Sequence, residues 1–167
     1  SVRSNGVDTR YLVHGTTVHG VQNLNPARQT QPTSYYAPNS GIGLAMKAAP
    51  EIYGPAARID IVGLGAGTLA CYARPGQSWT FYEIDPAIVT IASDPKRFTF
   101  LSECLPDARI VIGDARLTLA ATGPNRSDVL AIDAFSSDAV PMHLLTAEAF
   151  ATYRRHIAPN GLLMVHI

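Results

Sequence analysis

The chain has 167 residues, of which 47% are hydrophobic and 16% are charged, and its formal net charge at pH 7 is zero. This length suits a single domain that buries most of its apolar surface. The neutral charge balance provides no general attraction to nucleic acid or to an anionic membrane, so we expect neither as a partner.

The first 55 residues are predicted to be an appendage in front of an α/β domain. Alternating residues over 9–23 predict a small β-hairpin, with turns or bulges at the two His-Gly pairs, His14-Gly15 and His19-Gly20. A stretch rich in Pro, Gln, Asn and Ser over 25–40 predicts a surface loop. A helix should follow this loop and lead into the central unit.

The stretch 58–85 predicts a βαβ unit on which the rest of the chain is organised. An apolar strand is followed by the glycine turn GLGAG, a short helix and a second strand that ends in the acidic YEID. Such a turn needs backbone angles that favour glycine, and a missing Cβ lets a ligand approach the main chain. We therefore predict that Gly63, Gly65 and Gly67 bind a cofactor.

Glu83 indicates what kind of cofactor this is. It lies twenty residues after Gly63, where the second strand ends beside the first, so its carboxylate can accept hydrogen bonds from a ribose diol. The spacing GxGxG differs from the GxGxxG of most nicotinamide sites, and no P-loop Lys-Ser/Thr follows it. These features favour an S-adenosyl nucleoside. Asp85 is interpreted as the N-cap of a helix that begins at Pro86.

The remaining residues continue the alternation of strands and helices. Strands are predicted over 109–112, 128–132 and 162–167, and a helix over 146–158. The predicted fold over 56–167 is therefore α/β, a doubly wound, mostly parallel sheet of the Rossmann type. Because the sequence stops within a predicted strand, we expect a longer parent chain.

Two further acids stand at predicted strand ends, where ligands collect in such sheets. Asp133 follows an apolar strand, and an acid there is costly to bury without a purpose, although an N-cap is the alternative. Asp114 is either a site residue or a turn residue after Gly113. His14 and His19 have no third ligand at suitable spacing, so we predict no metal.

The two cysteines and the N-terminus bear on the compartment. Cys71 and Cys104 show no metal-ligand spacing, so we expect reduced structural thiols and a cytoplasmic location. The sequence has no run of eighteen apolar residues and no signal-peptide core near its start, so we expect no direct membrane contact from these residues.

The motifs GLGAG, YEID, IGDA and LAIDAFSSDAVP together resemble the polyamine aminopropyltransferases, that is, spermidine synthase and its relatives. The stretch AFSSDAVPMHLLTAEAF is most similar to the spermidine synthase-like domains that bacteria often attach to membrane-spanning segments. The resemblance covers roughly residues 10–167. It implies a methyltransferase-like Rossmann fold and transfer of an aminopropyl group from decarboxylated S-adenosylmethionine to a small diamine or polyamine. It also implies a homodimer, and membrane-spanning segments in the parent chain.

The resemblance also implies roles for individual residues. The three glycines would approach the nucleoside, Glu83 would bind the ribose, and Asp114 with Ala115 would hold the adenine. Asp133 would be the catalytic residue that takes the proton of the amine. The residues implied to bind the amine substrate are Asp138, Tyr35 and Gln22. The loop over 136–141 would close over the site.

The chain departs from the family pattern at several positions. Ala66 stands where the family has an acid that grips the amine of the decarboxylated donor. His14-Gly15 replaces an Asp-Gly pair, and Tyr36-Ala37 replaces a His/Gln-Glu pair. Two alternatives therefore stay open: a methyltransferase that uses S-adenosylmethionine itself, and a non-catalytic domain of a larger membrane protein that senses nucleosides or polyamines.

Overall fold

A computed structural model describes residues 2–4, 7–124, 126–134 and 141–166. The N-terminal part forms an antiparallel sheet of three strands in the order β1-β2-β3, with bounds Val2–Ser4, Val7–His14 and Thr17–Asn23. The predicted hairpin is confirmed as β2 and β3, and β1 was not predicted. The pairing register shifts between Leu12 and Val13, opposite His19. A bulge therefore occurs at one of the two expected His-Gly pairs, and the turn at the other.

The second sheet has five parallel strands in the order β6-β5-β4-β7-β8. Their bounds are Arg58–Val62 for β4, Ser78–Glu83 for β5, Arg109–Ile112 for β6, Ser127–Ile132 for β7 and Ile157–Val165 for β8. This topology confirms the predicted parallel sheet. The division of the chain near residue 55 stays a prediction.

Five helices surround the parallel sheet. They are α1 over Gly41–Tyr53, α2 over Pro86–Ser93, α3 over Phe100–Cys104, α4 over Ala115–Ala121 and α5 over Ala147–His156. Shorter 3₁₀ helices cover Ser34–Tyr36, Thr68–Tyr72 and Met142–Leu144. None of the helices in the described part of the chain is long and apolar enough to cross a membrane.

Side-chain caps account for most of the helix starts. The hydroxyls of Ser40 and Thr146 and the carboxylates of Asp85 and Asp114 each accept a backbone N–H in the first turn of their helix. Helix α5 ends two residues earlier than predicted. The reason is that β8 begins at once, with Ile157 paired to Ser127.

The core lies on both faces of the parallel sheet. One face packs Ile59, Ile61 and Phe81 against α1, α2 and α3, while the other packs Leu130 and Tyr153 between the sheet and helices α4 and α5. All five side chains are 0% exposed. Each large apolar side chain buried in this way contributes roughly 1.5–3 kcal/mol. The two faces hold the carboxyl ends of the strands in a fixed arrangement.

The cysteines are paired, which corrects the expectation of reduced thiols. Cys71, in the 3₁₀ helix after the glycine turn, forms a disulfide with Cys104 at the end of α3, with a Cα–Cα distance of 4.8 Å. The sequence showed no sign of this because the partners are 33 residues apart and only folding brings them together. Disulfides are rare in the cytosol. The argument for a cytoplasmic location from reduced cysteines therefore fails.

Candidate active site

A cavity of about 670 Å³ opens at the carboxyl ends of the parallel strands, beside the N-terminal hairpin. This volume is typical of small-molecule sites, which span roughly 300–1,000 Å³. Its described lining includes four carboxylates and no lysine or arginine: Glu83, Asp85, Asp114 and Asp133. Four of the five histidines of the chain also line it: His14, His19, His143 and His166. The cavity is therefore acidic and favours cations.

The glycine turn is shaped by close contacts with other parts of the protein. Gly63 has φ +102°, and a Cβ there would collide with the backbone carbonyl of Asp133. Gly65 has φ +53°, and a Cβ there would collide with the carbonyl of His19. Both glycines line the cavity. Gly67, with φ +85°, faces Leu101 and is not among the lining residues. Packing thus requires all three, and cofactor binding by them stays a prediction.

Glu83 connects the glycine turn to the end of β5. One carboxylate oxygen accepts the N–H of Leu64 at 2.9 Å, and the other accepts the N–H of Asp85 at 2.9 Å. The side chain is nearly buried and lines the cavity. A carboxylate has about four acceptor positions, so two protein donors leave capacity for ribose hydroxyls. Asp85 caps α2 by accepting the N–H of Ala87, as interpreted from the sequence.

Asp114 lies at the end of β6 and caps α4. Its carboxylate accepts the N–H of Arg116 at 2.8 Å and pairs with the Arg116 guanidinium at 3.3 Å. Burial acts to raise the pKa of Asp114, but these contacts with Arg116 outweigh it and hold that pKa below its usual value. Ala115 follows, buried, and both residues line the cavity. The predicted pair lies at the cavity wall, and its contact with adenine stays a prediction.

Asp133 is a buried acid of the site, with a side chain 5% exposed. Its backbone N–H donates to Val62, which fixes the end of β7 beside the glycine turn. The carboxylate contacts Nδ1 of His166 at 2.6 Å and is hydrogen-bonded to the side chain of Tyr36. Burial raises the pKa of Asp133, and His166, Tyr36 and the nearby His19 each act to lower it. Asp133 therefore lies at the cavity with donors already turned towards it.

Sequence reasoning missed three side chains around Asp133. Tyr36 was noted only as a departure from the family pattern, yet it is hydrogen-bonded to the carboxylate, and its own pKa is raised by burial and by Asp133. His166 directly follows β8, and its position after a strand end was the signal that could have identified it. The pKa of His19 is lowered by burial and by His14. No group of three or more ligating residues in the described ranges could hold a metal.

Tyr35, Gln22 and Asp138 were predicted to bind the amine. Tyr35 lines the cavity, with its ring 6.2 Å from that of His166. Gln22 is 1% exposed, and its amide bonds to Thr99 and to the carbonyl of Gln29, away from the cavity lining. That placement argues against the substrate role of Gln22, which instead ties the hairpin to the segment before α3. Asp138 lies outside the described residues, as does most of the 136–141 loop.

Ala66 does not face the cavity. Its side chain is 1% exposed and packs against Gly20 of the hairpin, where even a Cβ on Gly20 would collide with it. The Ala66 N–H also donates to the carbonyl of His19 at 3.3 Å. Position 66 is thus part of the junction between hairpin and glycine turn. A carboxylate there would have to displace the hairpin before it could reach a ligand.

A second depression, of about 860 Å³, lies at the opposite edge of the sheet, where β4, β5 and β6 begin. It exposes part of a buried pair in which Nε2 of His156 contacts Asp60 at 2.6 Å. Nδ1 of the same ring contacts the Thr122 hydroxyl, which donates to the carbonyl of Leu119. These groups satisfy one another and join α4 and α5 to the sheet. We assign this chain of hydrogen bonds a structural role.

Two curated relatives resemble the chain in sequence. It is 29% identical over 129 residues to a polyamine aminopropyltransferase of Vibrio vulnificus, which covers 74% of this chain and 40% of the relative. It is 29% identical over 123 residues to a probable polyamine aminopropyl transferase of Bifidobacterium longum, which covers 72% and 26% respectively. The chain thus spans less than half the length of these relatives. No family model matches the sequence.

Solved structures show the same fold. A probable spermidine synthase from Corynebacterium glutamicum superposes with a TM-score of 0.66 and 21% identity, over 98% of this chain and 62% of that one. The chain has the fold of this spermidine synthase-like structure. A spermidine synthase in complex with the transition state analogue AdoDATO gives a TM-score of 0.58 at 22% identity, over 72% and 41% respectively. The spermidine synthase-like sheet and hairpin agree with the fold expected from the motifs.

Proposed function

We propose that this chain carries the nucleoside site of an aminopropyltransferase, which moves an aminopropyl group from decarboxylated S-adenosylmethionine to a diamine or polyamine. The observation that carries the proposal is the buried carboxylate of Asp133, held by two side-chain partners at the wall of an acidic cavity. The curated relatives named as polyamine aminopropyltransferases support the same reaction class.

The charge of the cavity suits both reactants. The donor is a sulfonium cation, and an amine with a pKa near that of lysine is protonated at neutral pH. The described lining contains four carboxylates, which stabilise such cations, and no lysine or arginine that would repel them. Asp133 would bind the ammonium group and accept its proton, so that the amine nitrogen can attack the carbon next to the sulfonium. Holding the reactants in line contributes roughly 7–11 kcal/mol to such a step.

The same lining bears on the choice between the two donors. S-adenosylmethionine carries a carboxylate that its decarboxylated form lacks, and the described lining offers no lysine or arginine to pair with it. Ala66 favours the methyltransferase alternative, because an acid that grips the donor amine is missing. We give more weight to the four carboxylates of the lining than to the missing acid at position 66, because the lining surrounds the whole cavity. A homodimer and membrane-spanning segments in a parent chain stay predictions.

The test is release of methylthioadenosine from decarboxylated S-adenosylmethionine, measured with a panel of di- and polyamines. We expect product with the wild-type protein, and a loss of about 10²–10⁴-fold for Asp133→Asn, since the amide cannot accept the proton. Asp107→Asn is the matched control, because Asp107 is exposed and lines only the opposite edge of the sheet. Failure of the wild-type protein with every amine would overturn the proposal, and binding without turnover would favour the sensor.

A further inference from the structure

His166 is placed against Asp133 by the backbone of the parallel sheet. The N–H of His166 donates to the carbonyl of Ile132 at 2.9 Å, which continues the pairing of β8 with β7 up to the cavity. The imidazole Nδ1 then lies 2.6 Å from Oδ1 of Asp133. Because both side chains extend from adjacent strand ends, their contact is fixed by the sheet and does not depend on a loop.

The surroundings of Asp133 define what His166 does for it. Three titratable groups face the carboxylate: Tyr36 at the end of the first 3₁₀ helix, His19 in β3, and His166 directly after β8. A carboxylate only accepts hydrogen bonds, so a contact of this length with an ionised Asp133 requires the proton on Nδ1. The imidazole ring is itself held, with ring centroids 5.5 Å from Tyr36 and 6.2 Å from Tyr35.

Burial of Asp133 opposes the ionisation that the proposed reaction requires of this residue. A general base must be ionised when the substrate arrives, yet desolvation favours the neutral acid and raises the pKa of Asp133. The hydrogen bond from His166 is the largest influence in the opposite direction. Without the imidazole, a larger fraction of Asp133 would be protonated, and its carboxylate would lose its fixed orientation.

We propose that His166 is a positioning residue that keeps the buried carboxylate of Asp133 ionised and oriented as the proton acceptor of the transfer reaction. This inference rests on the proposed function. In the step itself, the amine nitrogen forms a bond to the aminopropyl carbon while the C–S bond breaks, and its electron pair stays on the sulfur of methylthioadenosine. The amine proton passes to Asp133 and then to solvent. His166 keeps its Nδ1 proton throughout.

The kinetic test compares pH profiles of kcat for three variants. In His166→Phe, the acidic limb of the kcat profile should move to higher pH. The value of kcat should fall on the order of tenfold at neutral pH and recover at alkaline pH. His166→Gln retains a hydrogen-bond donor, so its limb should move less. Asp107→Asn, which removes an exposed acid at the other end of the strands, should leave the limb in place. A merely structural role would instead lower kcat by one factor at every pH, and that result would overturn the inference.

A second measurement needs no turnover and separates this inference from the proposed reaction. A short N–H···O hydrogen bond shifts the imidazole proton far downfield in NMR spectra. We expect one such resonance from His166 that disappears in His166→Gln and moves upfield in Asp133→Asn. The His156–Asp60 contact, also 2.6 Å, supplies an internal reference that neither variant should change. If Asp133→Asn moves no downfield resonance, the inference fails even if the protein is an active transferase.

Discussion

Glu83 illustrates how one side chain supports both the fold and the site. Its two oxygens accept hydrogen bonds from the backbone N–H groups of Leu64, in the glycine turn, and of Asp85, after β5. The carboxylate therefore ties the glycine turn to the segment after β5. The same residue is proposed to hold the ribose, and its two functions are therefore coupled.

Replacing Glu83 by Gln tests this coupling through stability. The amide retains one acceptor oxygen, so one of the two N–H groups loses its partner, and a buried donor left unpaired costs about 1–3 kcal/mol. We expect the free energy of unfolding in urea to fall by that amount in Glu83→Gln. Glu51→Gln, at an exposed position of α1, is the control and should stay within about 0.5 kcal/mol of wild type. Equal loss in both variants would contradict the assignment.

At the level of single residues, the sequence was informative wherever a polar group followed an apolar strand. Glu83, Asp114 and Asp133 were recognisable because each follows or ends a predicted strand, where ligands collect in such sheets. His166 also follows an apolar strand, but the sequence analysis did not predict it as a site residue. The burial of Gln22 was not foreseen, because nothing in its neighbourhood in the sequence shows that Thr99, far along the chain, accepts a hydrogen bond from its amide.

At the scale of elements, the disulfide joins the helix after the glycine turn to α3, close to where the hairpin docks. Leu12 of β2, Ala66 of the turn and Phe100 of α3 form one small apolar cluster, against which Cys71 packs. Three elements from distant parts of the sequence therefore meet at the back of the glycine turn. The disulfide holds two of them together.

Reduction of this disulfide should destabilise the protein measurably. A cross-link across a loop of this length typically contributes about 2–4 kcal/mol. We expect the melting temperature of the wild-type protein to fall when a reductant is added. The double variant Cys71→Ser/Cys104→Ser should already show the lower value and should not respond to reductant. A wild-type protein that melts at the same temperature with and without reductant would rule out a stabilising role.

The elements that sequence patterns missed are the short ones. Helix α3 has five residues and α4 has seven, too few for a clear helical period. Their stability comes from tertiary contacts: Phe100 and Leu119 are almost fully buried. The long apolar strands needed no such context, and their predicted bounds lie within about a residue of the observed ones, except for β8. There the strand begins earlier because it pairs with the start of β7.

At the scale of the whole molecule, the two ends of the parallel strands carry different charged groups. The strand starts carry arginines and satisfied ion pairs, such as Arg58 with Asp128 at 2.7 Å. The strand ends carry carboxylates and histidines around the cavity. The chain is neutral overall, so composition alone does not reveal this segregation of charge. Under the proposed function, this acidic lining should accept a cationic nucleoside more readily than one that also carries a carboxylate.

The most direct measurement is therefore a calorimetric titration of the protein with decarboxylated S-adenosylmethionine and, separately, with S-adenosylmethionine. The two ligands differ only by the carboxylate, for which the described lining provides no lysine or arginine. We predict that the decarboxylated form binds at least about tenfold more tightly, a difference of about 1.4 kcal/mol. Tighter binding of S-adenosylmethionine, or binding of neither, would contradict an aminopropyltransferase site in this cavity.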